Sequence, residues 1–199
     1  MSLEKMAEKA ASLKVKGHAN REISQEMHLS EATVEWLLAK KASEDFNEAL
    51  PPDVKVGWRT IGVSGSRINS IAEIMADVIL EEQEKNEFDL DMIAGITHNG
   101  IPLATNISDL LGLDFGMIRP SRDSTETNYA SNYAGLDGKN IVIVDDVVSS
   151  GNTATEAIDF VKKEGGTPVL AIVLINKKAS DEIDEIPLRA LIRARPVRD

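Results

Sequence analysis

The sequence predicts an α/β protein, a mostly parallel sheet with helices on both faces, preceded by a small all-helical domain. Three features carry that expectation. Beyond about residue 53, continuous aliphatic runs such as "IVIV" (141–144) and "VLAIVLI" (169–175) alternate with segments of helical periodicity, as strands buried on both faces and joined by helical crossovers require. Before residue 44 the apolar residues recur at helical spacing alone. Between the two parts, Pro51-Pro52 in "SEDFNEALPPDV" cannot continue a helix and favours an extended connector. Two domains are expected, 1–43 and 44–199.

In the first domain, "LEKMAEKAASLKVKG" places Leu3, Met6, Ala10 and Leu13 on one helix face and stops at Gly17, a good C-terminal cap. A second helix over about Asn20–Met27 and a third over about Glu31–Lys40 flank His28-Leu29-Ser30. Two helices that cross steeply over so short a turn bury an aliphatic and a small residue in the first, an aliphatic in the turn, and a β-branched residue plus Leu in the second. Here these are Ile23 and Ser24, Leu29, then Val34 and Leu37, and Ser30 is placed to cap the third helix.

The second domain reads, in order, as a strand over "KVGWRTIGV" and a helix over "RINSIAEIMADVILEEQEK", with Ile68, Ile71, Ile74, Met75, Val78 and Ile79 inward. Then come a strand "DMIAGI", a helix "IPLATNISDLLGL", and strands "FGMIRP" and "KNIVIVDDV". The chain closes with a helix "GNTATEAIDFVKKEG" and strands "TPVLAIVLIN" and "IPLRALIRAR". Ligands of such sheets sit at the carboxyl ends of the strands.

Composition narrows the function. The 199 residues are 42% hydrophobic, enough for a packed core, and no run approaches the roughly 20 apolar residues of a membrane span, so a cytoplasmic protein is expected. Zero cysteines exclude disulfides, thiolate metal sites and a cysteine nucleophile, and three widely separated histidines make a zinc site unattractive. The net charge of −11 argues against general coating of nucleic acid but conceals an asymmetry. Residues 1–43 carry seven Lys and Arg against six Glu, a net of +1, and the remainder carries −12.

The stretch "IVIVDDVVSSGNTATEA" lies at a strand end. Backbone N–H groups of Ser149, Ser150, Gly151, Asn152 and Thr153, with the positive end of the helix that follows, form a cradle for a dianionic phosphate, and Gly151 permits close approach. Asp145 and Asp146 point to opposite sides of their strand and cannot play one part. One can accept hydrogen bonds from vicinal sugar hydroxyls while the other faces the reacting carbon or orders the loop. A sugar 5′-phosphate satisfies both the acids and the loop. Lys162-Lys163 and Lys177-Lys178 read as solvated charges, and "SDEIDEIP" as an exposed turn.

Two resemblances sharpen this reading. "REISQEMHLSEATVEWLL" resembles the helix-turn-helix of many prokaryotic transcription regulators, with His28 where that family usually has Gly. The resemblance implies that Ser30, Glu31, Ala32, Glu35 and Trp36 face the major groove of DNA, with Lys14, Lys16, Arg21, Lys40 and Lys41 in reach of phosphates. "VIVDDVVSSGNTA" resembles the phosphoribosyl-pyrophosphate signature of the type I phosphoribosyltransferases. That implies ribose hydroxyls on Asp145 and Asp146, the 5′-phosphate on Ser149 to Thr153, and a Mg²⁺ that meets the acids through the bound ligand. "IAGITHNGIPLATNIS" is similar to the orotate version of the family, which implies Thr97, His98, Asn99 and Gly100 around the pyrophosphate and its Mg²⁺.

Bond breaking at the sugar C1 needs cations over the leaving pyrophosphate and a lid that excludes water. In "MIRPSRDSTETNYASNYAGL", Arg119 stands where the family has its arginine, Pro120 replaces the following lysine, and Arg122 is the other cation before Lys139. Arg119 and Arg122 are the catalytic candidates. The hood that would select a base falls on "DVKVGWRTIGVSGSR", with Trp58 either stacking on a ring or in the core. The whole arrangement resembles the archaeal orotate-phosphoribosyltransferase-like transcriptional regulators. It implies a DNA-binding homodimer with phosphoribosyl pyrophosphate or a related sugar phosphate or nucleotide as effector. The alternative is a working phosphoribosyltransferase acting on orotate or a purine, its N-terminal helices a dimerisation or regulatory appendage.

Overall fold

In the computed structural model, which describes residues 2–43, 53–119, 128–129 and 132–195, the chain divides into two units. Met1–Gly57 with Ala194–Asp199 form one, and Trp58–Arg193 the other.

The first unit is built from three helices. Helix α1 (Leu3–Val15) starts at Ser2, whose Oγ accepts from Lys5 N at 3.4 Å, and buries Ala7 and Ala10. Helix α2 (Asn20–Met27) starts with Glu22 Oε2 accepting from Ala19 N at 2.9 Å. His28 then takes a left-handed conformation at φ 53°, which a residue with a side chain adopts at some cost and which turns the chain sharply. Helix α3 (Glu31–Ser43) follows, with Thr33 N donating to Ser30 Oγ at 3.1 Å. Ile23, Leu29, Val34 and Leu37 are buried together and Ser24 is 8% exposed, the five positions expected of steeply crossed helices. Asp53 adds a second cap, for its Oδ2 accepts from Ser30 N at 2.6 Å and from the buried Thr33 Oγ1 at 2.9 Å. Its charge also meets the positive end of the α3 dipole.

The second unit opens differently from the expected strand over 55–63. Residues 53–58 belong to no helix or strand, and Arg59–Gly62 form a short helix, α4. The cause is Trp58: its carbonyl accepts from both Ile61 N and Gly62 N, and its ring folds over Gly62 so closely that a Cβ there would lie 2.9 Å from it. Helix α5 (Gly65–Asn86) buries Ala72, Met75, Ala76 and Ile79, with Ile68, Ile71 and Val78 packed beside them. Ile74 was expected inward and is instead 51% exposed, because the buried stripe runs through its neighbour Met75 and a helix turns about 100° per residue.

The sheet holds β1 (Met92–Ile96), β2 (Asp114–Arg119), β3 (Asn128–Tyr129), β4 (Asn140–Val148), β5 (Thr167–Asn176), β6 (Glu182–Ile183) and β7 (Ile186–Arg193) in the order β3-β2-β1-β4-β5-β7-β6. All neighbours are parallel except the two edge pairs, β2 with β3 and β6 with β7. The acidic segment read as an exposed turn is the tip of that last hairpin, with Asp184 and Glu185 at positive φ. Helices α5 and α6 (Gly100–Leu111) cover one face over Ile93, Val142, Val144 and Ile172. Helix α7 (Asn152–Lys163) covers the other over Ile141, Ile143, Ala171 and Val173. From β1 the chain crosses to β2 on one side, and from β4 to β5 on the other, so the direction of winding reverses between the adjacent β1 and β4.

Glu82 of α5, 5% exposed, meets Arg189 of β7 at 2.7 Å. Burial pushes its carboxyl up, but the hydrogen bond and charge of Arg189, with Lys85, bring it below the usual carboxylate range. Arg189→Ala, which leaves that carboxylate enclosed, is expected to lower stability by about 2 kcal/mol in urea unfolding, with Arg189→Lys recovering part of the loss.

Candidate functional site

The site lies at the reversal point, where β1 and β4 end side by side. Thr97 N still donates to Ile118 O at 2.9 Å, and the Thr97–His98 peptide is cis. Helix α6 starts three residues later, pressed onto the end of β4: a Cβ on Gly100 would stand 2.3 Å from Val144 O and 3.1 Å from Asp145 Cα. Only glycine allows that approach. His98 and Asn99 are exposed at the mouth and Thr97 is half-buried.

The two acids have different surroundings. Asp146 is 5% exposed, and its Oδ2 accepts from Trp58 Nε1 at 2.6 Å and from Asn99 Nδ2 at 3.0 Å. Asp145 is half-buried as a residue, yet its carboxyl group is enclosed, and burial first and the neighbouring Asp146 charge second push it well above the usual carboxylate range. The Asp146 N–H, donated to Asp145 Oδ1 at 2.8 Å, opposes that rise in part.

Beyond the acids the chain turns through Ser149 and Ser150 to Gly151, which is buried with φ 96°, and α7 begins at Asn152. Ser150 Oγ accepts from Asn152 N at 3.4 Å, while Ser149 and Thr153 are half-buried beside the helix start. Lys178 lies over this turn: a Cβ on Gly151 would stand 3.0 Å from its Nζ and 3.1 Å from its Cδ. Asn176, wholly buried at the end of β5, holds Lys178 there by accepting from its backbone N at 2.7 Å. Lys178 is thus not the solvated loop charge expected. The signal that places it is sheet adjacency, since Val148 pairs with Asn176, two residues before the lysine.

Trp58 is the other residue whose part the sequence left open. Its ring does not sit wholly in the core; it is half-buried, folds over Gly62 and donates to the acid. Arg119 is exposed at the end of β2. Arg122, with Pro120 and most of the stretch up to Asn132, lies outside the described residues. Among the described residues no three His, Cys, Asp or Glu side chains group as a metal cluster. Two adjacent carboxylates beside a helix start would suit a hard cation that arrives with a phosphate compound and meets them through it.

In the first unit, Ala32 and Glu35 are exposed, Glu31 and Arg21 are half-buried, and Ser30 Oγ is engaged with Thr33. Trp36 packs against the helix core, with Lys40 Nζ 5.9 Å from its ring centroid. Lys41 lies 3.9 Å from Glu8, Lys14 donates to Asn20 Oδ1 at 2.8 Å, and Lys16 is exposed.

The model of the phosphoribosyl transferase domain matches residues 58–191, which include the acids, the turn and Trp58. The chain belongs to that family. Relatives extend beyond the phosphoribosyltransferase domain to nearly the whole chain. A protein named transcriptional regulator GfcR from Thermoplasma acidophilum is 46% identical over 196 residues, 98% of each chain. Its namesake from Picrophilus torridus is 47% identical over 192 residues, 96% of this chain and 97% of that one. Among solved structures, the orotate phosphoribosyltransferase of Aeropyrum pernix matches with a TM-score of 0.57 at 20% identity, covering 75% of this chain and 83% of that one. The adenine phosphoribosyltransferase of Thermoanaerobacter pseudethanolicus gives 0.56 at 21%, covering 71% and 89%. At those identities the likeness is one of fold. No helix among the described residues is long and apolar enough to cross a membrane.

Gly100→Ala is expected to lower stability by about 2 kcal/mol, because neither Val144 O nor the β4 backbone can yield without moving the acids. A raised folded-state pKa for an acid means that stability is intact below the ordinary carboxylate value and falls as pH rises through the raised one. Asp145→Asn is therefore expected to melt with the wild type at acid pH and above it at neutral pH. Thermal scans across pH check this.

Proposed function

We propose that this protein is a DNA-binding transcriptional regulator whose phosphoribosyltransferase domain binds phosphoribosyl pyrophosphate, or a related sugar phosphate or nucleotide, as effector. The observation that carries the reading is the joining, in one chain, of the Asp145–Asp146 site to a three-helix unit, over a length shared with relatives named transcriptional regulators. The acids would take the ribose hydroxyls, and the Ser149 to Thr153 turn, with Lys178 above it, the 5′-phosphate. Thr97 to Gly100 would face the pyrophosphate and its Mg²⁺, which would supply counter-charge there, and the acids would meet that ion through the bound ligand. The helix-turn-helix of α2 and α3 would enter the major groove from the N-terminal end of α3, where Ala32 and Glu35 are exposed. A homodimer in the cytoplasm would present two such helices to half-sites about one helical turn apart.

The second reading, a working transferase on orotate or a purine, has the same acids and turn in its favour. Both readings meet in one experiment. Calorimetric titration with phosphoribosyl pyrophosphate and Mg²⁺, followed by orotate and adenine with pyrophosphate release monitored, is expected to give binding without turnover. Asp145→Asn with Asp146→Asn should abolish that binding. DNA selected by the full chain from a random pool should change its affinity more than about fivefold when the effector is added. Turnover with a base would establish the enzyme instead, and identical DNA binding with and without the effector would overturn the regulator.

A further inference from the structure

Lys178 is a cation in a place where helix electrostatics disfavour one. Its half-buried side chain lies across Gly151, the residue before α7, with Cδ and Nζ 3.1 and 3.0 Å from where a Cβ on that glycine would stand. The N-terminal end of a helix carries N–H groups without intrahelical partners and a partial positive charge, so an ammonium group is repelled there and an anion attracted. Other cations of the sheet are matched by acids. Arg189 meets Glu82 at 2.7 Å, Arg193 meets Asp181 at 2.6 Å, and Lys139 pairs with Asp114. Among the described residues no carboxylate pairs with Lys178.

The backbone around the lysine is fixed, so its position is built in. Lys177 N donates to Val148 O at 2.8 Å, which ties the end of β5 to the last residue of β4. Lys178 N donates to Oδ1 of the wholly buried Asn176 at 2.7 Å, and Nδ2 of the same amide donates to Ser180 O at 3.1 Å. One buried side chain thus holds the loop on both sides of Lys178. Two positive elements, the ammonium and the start of α7, adjoin one turn with no acid on the lysine. A neutral sugar or a free base would leave both as they are. A phosphate monoester, with about two negative charges at neutral pH, can meet the ammonium and the helix N–H groups together.

We propose that Lys178 is the residue that makes the site select ligands with a terminal phosphate, and that its unmatched charge lowers the stability of the empty protein. The inference rests on the reading of the turn as the seat of a phosphorylated sugar. It narrows the effectors to phosphate monoesters, a pentose 5-phosphate or a nucleoside monophosphate among them, and sets aside free nucleosides and bases.

The test uses the full chain with ribose 5-phosphate and inorganic phosphate as probes. Lys178→Met keeps the stem and removes the charge. It is expected to bind both probes about tenfold more weakly than the wild type, the scale of a lost charge-assisted hydrogen bond, and to melt about 2 °C higher when empty. Lys178→Arg should recover most of the affinity. Lys162→Met removes a charge from the last turn of the same helix, about 15 Å away and beyond the screening length, and should leave both affinities within about twofold. Ribose 5-phosphate binding by Lys178→Met within about twofold of the wild type, an equal loss in Lys162→Met, or a lower melting temperature for empty Lys178→Met would overturn the inference and leave the pocket standing. A wild type that binds neither ribose 5-phosphate nor phosphoribosyl pyrophosphate with Mg²⁺ would instead overturn the pocket.

Discussion

Two neighbouring carboxylates at the end of a buried strand are the constraint around which the site is organised. Charge in so enclosed a place is costly, and an acid there either finds donors or takes up a proton. The protein uses both solutions. Asp146 has two side-chain donors on one oxygen, and Asp145, whose Oδ1 accepts from the Asp146 N–H, is held toward its neutral form. Acids poised in this way would be relieved by hydroxyl donors and a cation, and not by an anion alone.

The sheet sets the positions of everything else. Because winding reverses between β1 and β4, the turns that start α6 and α7 open on the same edge from opposite faces. One brings Asn99 to the acids, and the other forms the glycine turn. β5, the next strand, adds Lys178 to that turn through the buried amide of Asn176. The glycine turn thus receives a cation from just beyond a neighbouring strand.

Much of this was legible from residues, and the exceptions share a cause. The steep helix crossing fixes which side chains it buries, so Ile23, Ser24, Leu29, Val34 and Leu37 could be named in advance. Strands covered on both faces must be continuously aliphatic, so β1, β4 and β5 were plain, and the acids of β4 stood out against that background. The segment around Trp58 has the composition of a strand, yet Trp58 turns it into a short helix and donates to an acid 88 positions away. Lys178 was misjudged for a similar reason, since which loops adjoin depends on strand order. Asp53 is separated by 20 positions from the threonine it binds, and no local pattern announces a cap supplied from there.

That cap also bears on how transferable the three helices are. Their core closes within residues 7–37, but the first turn of α3 is completed by a side chain beyond the paired prolines. A graft of the helices onto another protein that ended at the prolines would carry the whole core and an incompletely finished α3. The natural cassette is longer than its hydrophobic pattern, and the residues that complete it are the same ones that join it to whatever domain it serves.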